Sequence, residues 1–219
     1  MNKLAIGTVQ FGMTYGIANQ EGQVHQDKAF AILDLAWKNG IDTLDTAKSY
    51  GTSEKVIGNY LRLHPENTWN VITKFGNRDK NVADQIQDSY RELNILPTIL
   101  MAHSASLFMN AEFQAELAEV SEKQIISKVG VSVYSEAEIN SVIEAELKPE
   151  VIQLPLNILD TRLYRNNVLS NLKEKGIEIH VRSAFLQGLF YLSDSDLTDR
   201  FENALPYICL LYTSPSPRD

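Results

Sequence analysis

The sequence predicts an α/β fold, a (β/α)8 TIM barrel truncated after its seventh strand. Three observations carry that prediction. β-type runs alternate with helix-period segments throughout residues 1–208, the pattern of βαβ units and a mainly parallel sheet. Asp45, Lys74, His103 and Ser132 recur at a constant spacing of 29 residues, each at or next to the end of a β-type run. That is the pitch of one strand plus one helix repeated, and a barrel places its chemistry at the C-terminal ends of its strands. The turn after the first run, Gly7-Thr8-Val9-Gln10-Phe11-Gly12, has no G-x-G-x-x-G, the motif a doubly wound sheet normally carries there. The doubly wound sheet is the competing fold.

The elements follow in order. The first strand is expected over Leu4–Gln10. Phe30, Leu33 and Trp37 then fall at helical spacing, with Gly40 ending the helix. A second strand covers Ile41–Asp45. Ser53 starts a helix whose stripe is Val56, Ile57, Tyr60 and Leu61. The third strand, Asn70–Lys74, precedes a helix with Val82, Ile86, Tyr90 and Leu93 on one stripe. Strands are expected over Thr98–His103 and Lys128–Val133. Ser135 and Glu138 then have capping-box spacing ahead of Ile139, Val142 and Ile143. Val151–Leu156 and Ile177–Arg182 complete seven strands, followed by a helix-like stretch from Leu197 to Leu205.

Residues 1–208 contain no linker and read as one domain. Residues 209–219, Cys-Leu-Leu-Tyr-Thr-Ser-Pro-Ser-Pro-Arg-Asp, match neither period. They read as a translated sequencing adapter, so the expectation is a non-native tail and a natural reading frame that continues. Seven strands leave the first and last as open edges, since a barrel closes only when they pair. The 219-residue chain by itself is therefore expected to have little activity.

The balance of 20 basic against 28 acidic residues argues against a nucleic-acid partner, which calls for a basic surface. No apolar run approaches the ~18 residues of a membrane span, and no signal peptide is evident. With a single cysteine, Cys209, no internal disulfide framework arises. His25, His64, His103 and His180 lack metal-ligand spacing. A cytoplasmic protein with no nucleic-acid, membrane or metal partner is expected. Nothing in the pattern fixes an oligomeric state.

In a barrel, Asp45, Tyr50, Lys74 and His103 open onto one mouth. Each alone has an ordinary reading: a helix cap, a turn residue, a snorkelling lysine and a partly buried histidine. Together they suit carbonyl chemistry. A lysine ammonium lowers the pKa of a neighbouring tyrosine, and an aspartate holds that ammonium charged. A histidine hydrogen-bonds the carbonyl oxygen, and the tyrosine delivers a proton to it. The hydride has to come from a nicotinamide.

The segment Gly40-Ile41-Asp42-Thr43-Leu44-Asp45-Thr46-Ala47-Lys48-Ser49-Tyr50-Gly51-Thr52-Ser53-Glu54-Lys55-Val56-Ile57-Gly58 closely resembles the signature of the aldo-keto reductase superfamily. The likeness continues through Ile72-Thr73-Lys74-Phe75, Met101-Ala102-His103-Ser104, Lys128-Val129-Gly130-Val131-Ser132 and Ile152-Gln153-Leu154-Pro155-Leu156-Asn157. It covers most of residues 3–192. The resemblance implies a catalytic tetrad of Asp45, Tyr50, Lys74 and His103, with Tyr50 as proton donor. It implies an NAD(P)H cofactor, NADP(H) favoured over NAD(H), and a small-molecule aldehyde or ketone as substrate. It places Gly7 and Thr8 beside the nicotinamide, and Ser132 and Gln153 at its carboxamide. The opening segment and Ser183-Ala184-Phe185-Leu186-Gln187-Gly188 resemble a bacterial branch linked to surface-polysaccharide gene clusters, which suggests a sugar-related substrate.

Two departures stand out. Val133 occupies the place of an asparagine, and Arg182, followed by Ser183, occupies the place of a tyrosine that stacks on the nicotinamide. A guanidinium stacks on planar rings, but its charge opposes an oxidised nicotinamide. Two other functions fit the same fold. One is a Schiff-base aldolase using Lys74, although a paired Asp45 would keep that lysine charged. The other is a non-enzymatic cofactor-binding or interaction subunit, which has no need of Tyr50 or His103.

Overall fold

The computed structural model describes residues 3–192, 201, 203 and 206–208. The expected tail at 209–219, and most of the stretch between Leu197 and Leu205, lie outside the described residues.

The chain begins with strand β1 (Ile6–Gly7) and a single helical turn, α1 (Val9–Gly12), followed by α2 (Gln26–Lys38) and β2 (Thr43–Asp45). Next come α3 (Ser53–Leu63), β3 (Asn70–Phe75), α4 (Val82–Leu93) and β4 (Ile99–Ala102). The short α5 (Ala105–Phe108) and α6 (Ala111–Glu122) lead to β5 (Lys128–Ser132), α7 (Glu136–Glu144) and β6 (Val151–Pro155). Finally α8 (Arg162–Arg165) and α9 (Val168–Glu174) precede β7 (Glu178–Arg182) and a 3-10 turn at Leu186–Tyr191.

The seven strands form one sheet in sequence order, and every neighbouring pair is parallel. A hydrogen bond proves its curl. Gln153 on β6 donates to Asp45 on β2 at 3.1 Å. Four strand spacings in a flat sheet would separate them by about 19 Å. The sheet therefore wraps round so that the two strands face each other across an interior, the geometry of a (β/α) barrel. Among the described residues, β1 and β7 do not pair with each other.

Alternation along the strands divides the residues between two environments. Leu44 and Val71 pack outward on Leu33, Ile57 and Tyr60 of α2 and α3. Phe75, Leu100, Val131 and Ile152 pack outward on the later helices, through Ile86, Phe113, Val142 and Leu172. The intervening residues Ile72, Ile99, Met101 and Val151 form a separate inner cluster. Each large side chain fully removed from water contributes about 1.5–3 kcal/mol. Continuing the inner alternation toward the strand ends gives Asp45, Lys74, Ser132, Gln153 and Arg182.

The helix starts follow from their caps. Asn81, Asn110 and Ser135 accept from backbone N–H groups of the first turns of α4, α6 and α7, and Ser135 with Glu138 forms the expected capping box. Two expectations are corrected. The strand expected over Leu4–Gln10 ends at Gly7, because Phe11 N donates to Thr8 O (2.9 Å) and Met13 N to Val9 O (3.1 Å), winding Val9–Gly12 into a helical turn. Tyr90 is exposed rather than on the buried stripe of α4. The buried face instead carries Gln85 and Ser89, whose polar atoms have partners inside.

Candidate active site

The chain leaving β2 is held to β3 beyond the last strand residue. Thr46 N donates to Ile72 O at 2.9 Å and Lys48 N to Lys74 O at 3.0 Å. It then turns sharply: Tyr50 N donates to Ala47 O and Ser53 N to Tyr50 O, both at 3.0 Å. Gly51, at φ +55°, supplies the left-handed residue of that turn. The turn is braced from the other side. A Cβ at Gly12 would lie 1.7 Å from the Tyr50 carbonyl oxygen, so α1 packs on it backbone to backbone. Residues that place Tyr50 thus come from three separate segments of the chain.

Lys74 is fully buried at the end of β3. Its Nζ donates to Asp45 Oδ1 at 2.7 Å and to Thr46 O at 2.9 Å. The ammonium also lies 5.2 Å from the centre of the Tyr50 ring, within cation–π reach. Burial pulls the Lys74 pKa down, and Asp45 opposes that pull. Asp45 receives a second bond from Gln153, whose Oε1 in turn accepts from Ser132 Oγ at 3.4 Å. Its backbone oxygen accepts from both N–H and Oγ1 of Thr8, each at 3.0 Å. Thr8 is itself tied to Ser53 and, through it, to Thr46. Asp45 therefore sits at the centre of a network drawn from the residue after β1 and from β2, β3, β5 and β6.

Tyr50 and His103 face each other with ring centres 5.9 Å apart in an edge-to-face arrangement. Burial, then the Asp45 charge, pushes the Tyr50 pKa well above its ordinary 10. This reverses the sequence expectation that Lys74 lowers it. The reason is burial, which penalises the phenolate most, with the Asp45 carboxylate adding to it. Arg182 is the cation that acts to lower the Tyr50 pKa. For His103, burial first and then Lys74 depress the pKa below 6.5, so the imidazole is neutral at pH 7. Ser49 Oγ lies 3.3 Å from His103 Nδ1; a hydroxyl donating there leaves the ring proton on Nε2.

The structure brings Asp45, Tyr50, Lys74, His103, Thr8, Ser132 and Gln153 to one mouth. Gly7 lies beside Asp45 in the strand register, and a Cβ built on it would meet nothing within 4 Å. Across the interior, Gln153 reaches Asp45 and Ser132 reaches Gln153, so the same opening carries an amide and a hydroxyl, groups of the kind that could pair with the carboxamide of a nicotinamide. Arg182, at the end of β7, has its guanidinium carbon 3.9 Å from the centre of the Tyr134 ring and donates to Val133 O at 3.1 Å. Tyr134 thus covers one guanidinium face. Ser183 opens the following turn in left-handed backbone, φ 60°, and accepts from Leu186 N at 3.1 Å. It takes no part in the Asp45 network. Among the described residues, no three His, Cys, Asp or Glu side chains group to hold a metal ion, and no helix is long and apolar enough to cross a membrane.

Sequence reasoning missed three contributors. Tyr15 and Tyr134 both act electrostatically on Tyr50, and neither lies on the 29-residue pitch. Tyr15 is held by Gln187 from the turn after β7, whose Nε2 donates to Tyr15 Oη at 2.8 Å. Glu54, almost wholly buried, accepts from Thr73 (2.7 Å), Ser89 (3.0 Å) and Lys48 (3.1 Å). Its signal was present, because it lies on the same helical stripe as Ile57 and Leu61.

Known proteins share this arrangement of strands and helices. The sequence pattern of the family described as "Aldo/keto reductase family" matches residues 3–204. D-threo-aldose 1-dehydrogenase from a Pseudomonas species is 25% identical over 239 residues, spanning 91% of this chain and 72% of that protein. An aldo-keto reductase from Bacillus halodurans, solved in its holo form, superposes with a TM-score of 0.76 at 21% identity, over 99% of this chain and 74% of that one. A glycerol dehydrogenase from Gluconobacter oxydans gives a TM-score of 0.72 at 22% identity, over 97% and 72% of the respective chains. At these identities the two structures speak to the fold alone.

Proposed function

The chain belongs to the aldo/keto reductase family, and from that premise we propose that this mouth reduces the carbonyl group of a small aldehyde or ketone to an alcohol. The observation that carries the reading is the convergence of the Asp45–Lys74 pair, the Tyr50 ring and a neutral His103 on one opening. A bound nicotinamide supplies the hydride, which no side chain can.

His103 donates its imidazole N–H to the carbonyl oxygen and orients it. Tyr50 Oη transfers its proton to that oxygen as the C–H bond forms. Its raised pKa keeps the proton available at neutral pH. The phenolate left behind faces Lys74, and the attraction between them grows only as Tyr50 loses its proton, which favours the transition state over the ground state. Solvent then returns the proton to Tyr50. Asp45 keeps Lys74 charged despite complete burial. Gly7, Thr8, Ser132 and Gln153 would hold the nicotinamide, with NADP(H) favoured over NAD(H). An aldose-like substrate accords with the D-threo-aldose 1-dehydrogenase relative. A cytoplasmic location is part of the same proposal.

Because β1 and β7 lack mutual pairing among the described residues, we expect the 219-residue chain alone to bind the cofactor weakly. The test is carbonyl-dependent oxidation of NADPH and NADH, measured on the 219-residue chain at saturating cofactor. Oxidation that requires Tyr50 supports the reading. Cofactor-independent trapping of a carbonyl compound on Lys74 by borohydride would replace it with an aldolase.

A further inference from the structure

His103 differs from the other histidines in what faces its ring. His25 lies 3.5 Å from Asp27, His64 lies 3.6 Å from Glu66, and His180 lies 2.7 Å from Glu178. Among the described residues, no carboxylate comes within ion-pair distance of His103 and no carbonyl oxygen accepts from its ring. Its hydrogen-bond partner is the Ser49 hydroxyl, 3.3 Å from Nδ1.

Backbone bonds fix both residues. His103 N donates to Phe75 O at 2.8 Å, just beyond β4. Ser49 lies between Lys48, whose N–H is bonded to Lys74 O at 3.0 Å, and Tyr50, whose N–H is bonded to Ala47 O at 3.0 Å. Gly76 lies against the same edge of the imidazole: a Cβ built on it would come 4.0 Å from Nδ1. With no side chain there, Ser49 reaches that nitrogen without a competitor.

The kind of partner decides which nitrogen keeps the proton. A neutral imidazole has one N–H, and its place is set by the bond the other nitrogen makes. Burial, then Lys74, holds the His103 pKa below the ordinary histidine value, so the ring is neutral at pH 7. A carboxylate or carbonyl at Nδ1 only accepts. It would hold the proton there and leave Nε2 bare, the arrangement of a general base. A hydroxyl can donate instead. The proton then stays on Nε2, which has no protein partner among the described residues and is left to donate to a substrate oxygen.

We propose that Ser49 is a positioning residue that donates to His103 Nδ1 and so holds the imidazole as a hydrogen-bond donor at Nε2. The inference rests on the reductase reading and deepens it, because carbonyl reduction calls for a donor at that nitrogen. Ser49 acts through the histidine and not on the reacting carbonyl.

The test is nitrogen NMR of the histidine rings in the 219-residue chain at neutral pH, in wild type, Ser49→Ala and Ser49→Thr. The signals lost in His103→Gln assign His103. In the wild type the proton is expected on Nε2. In Ser49→Ala water replaces the hydroxyl and both tautomers should appear, whereas Ser49→Thr keeps the hydroxyl and should restore the single one. In carbonyl reduction, kcat of Ser49→Ala should fall by about 2- to 10-fold, the worth of one hydrogen bond. NADPH affinity should be unchanged, and Ser49→Thr should recover the rate. A wild-type proton on Nδ1 overturns the proposal, as does a Ser49→Ala ring that keeps Nε2–H alone. A tautomer shift with kcat unchanged also overturns it, since Ser49 would then position nothing for the reaction. A tautomer shift in a chain that reduces no carbonyl supports the Ser49 bond to the ring and sinks the reductase reading alone.

Discussion

Lys74 Nζ lies 2.7 Å from Asp45 Oδ1, with the lysine side chain wholly removed from solvent and the aspartate 18% exposed. The asymmetry sets what each partner tolerates. Lys74→Met leaves Asp45 with Gln153 as a donor and some access to water. Asp45→Asn strands an ammonium whose pKa burial already depresses, and it can shed its proton. Breaking a buried pair from one side costs about 3–5 kcal/mol. We expect a loss near the lower limit for Lys74→Met, read by denaturant unfolding. Its kcat should fall by about 10²-fold or more as the phenolate loses its counter-charge. Wild-type kcat in Lys74→Met would remove the pair from the mechanism.

The two rings that face the substrate should titrate away from the neutral range in opposite directions. Tyr50 has a raised pKa, so the folded protein holds that proton more tightly than the unfolded chain. Its contribution to stability is complete below pH 10, the ordinary tyrosine value, and is lost as pH rises through the folded-state pKa. His103 has a lowered pKa, so the unfolded chain binds the extra proton. Stability therefore falls as pH drops below 6.5, down to the folded-state value. Ultraviolet titration of the wild type against Tyr50→Phe should show the missing phenol ionising above pH 10. A midpoint below 9 would mean that Lys74 governs it after all.

Glu54 is a structural anchor behind the site. It gathers Thr73 of β3 and Ser89 of α4 onto α3. Replacing it by alanine leaves two buried hydroxyls without their acceptor. We expect Glu54→Ala to cost about 3 kcal/mol, seen as a Tm lower by about 6–12 °C for a chain of this size. Glu54→Gln, which keeps one oxygen acceptor, should lose less. A shift under about 2 °C in the alanine variant would contradict this role.

Gly12→Ala tests how Tyr50 is placed. The added Cβ would lie 1.7 Å from the Tyr50 carbonyl oxygen and 2.4 Å from Ser53 N. Backbone occupies both positions, so the turn has to move. A displacement of about 1 Å in a catalytic group costs about 10²-fold in rate. We expect kcat to fall by that order with cofactor affinity less affected. Unchanged turnover would show that α1 does not brace the turn.

Much of this was legible in the sequence because both signals are periodic. The alternation of β-type and helix-period runs marked the strands, and the 29-residue pitch marked their ends at Asp45, Lys74, His103 and Ser132, whereas Gln153 was reached only through the family resemblance. Seven strands were expected and seven are present among the described residues. Long-range facts were not legible. The bond from Gln153 to Asp45 spans 108 residues, and no local pattern encodes it. The direction of the Tyr50 shift depends first on how deeply the ring is buried, which a residue type does not encode. The stacking of Arg182 on Tyr134 joins the ends of β5 and β7. The first strand was overextended because Val9–Phe11 reads equally well as β-type sequence and as the helical turn it forms.

The central claim is that Tyr50 gives the proton. Tyr50→Phe removes one hydroxyl and keeps the ring that packs against His103 and Lys74. The decisive measurement is the single-turnover rate of carbonyl reduction at saturating NADPH, in wild type and Tyr50→Phe, with NADPH affinity measured alongside. The account predicts a rate lower by about 10²- to 10⁴-fold with affinity for NADPH retained. A Tyr50→Phe rate within a few fold of the wild type would contradict it and place the proton donor elsewhere.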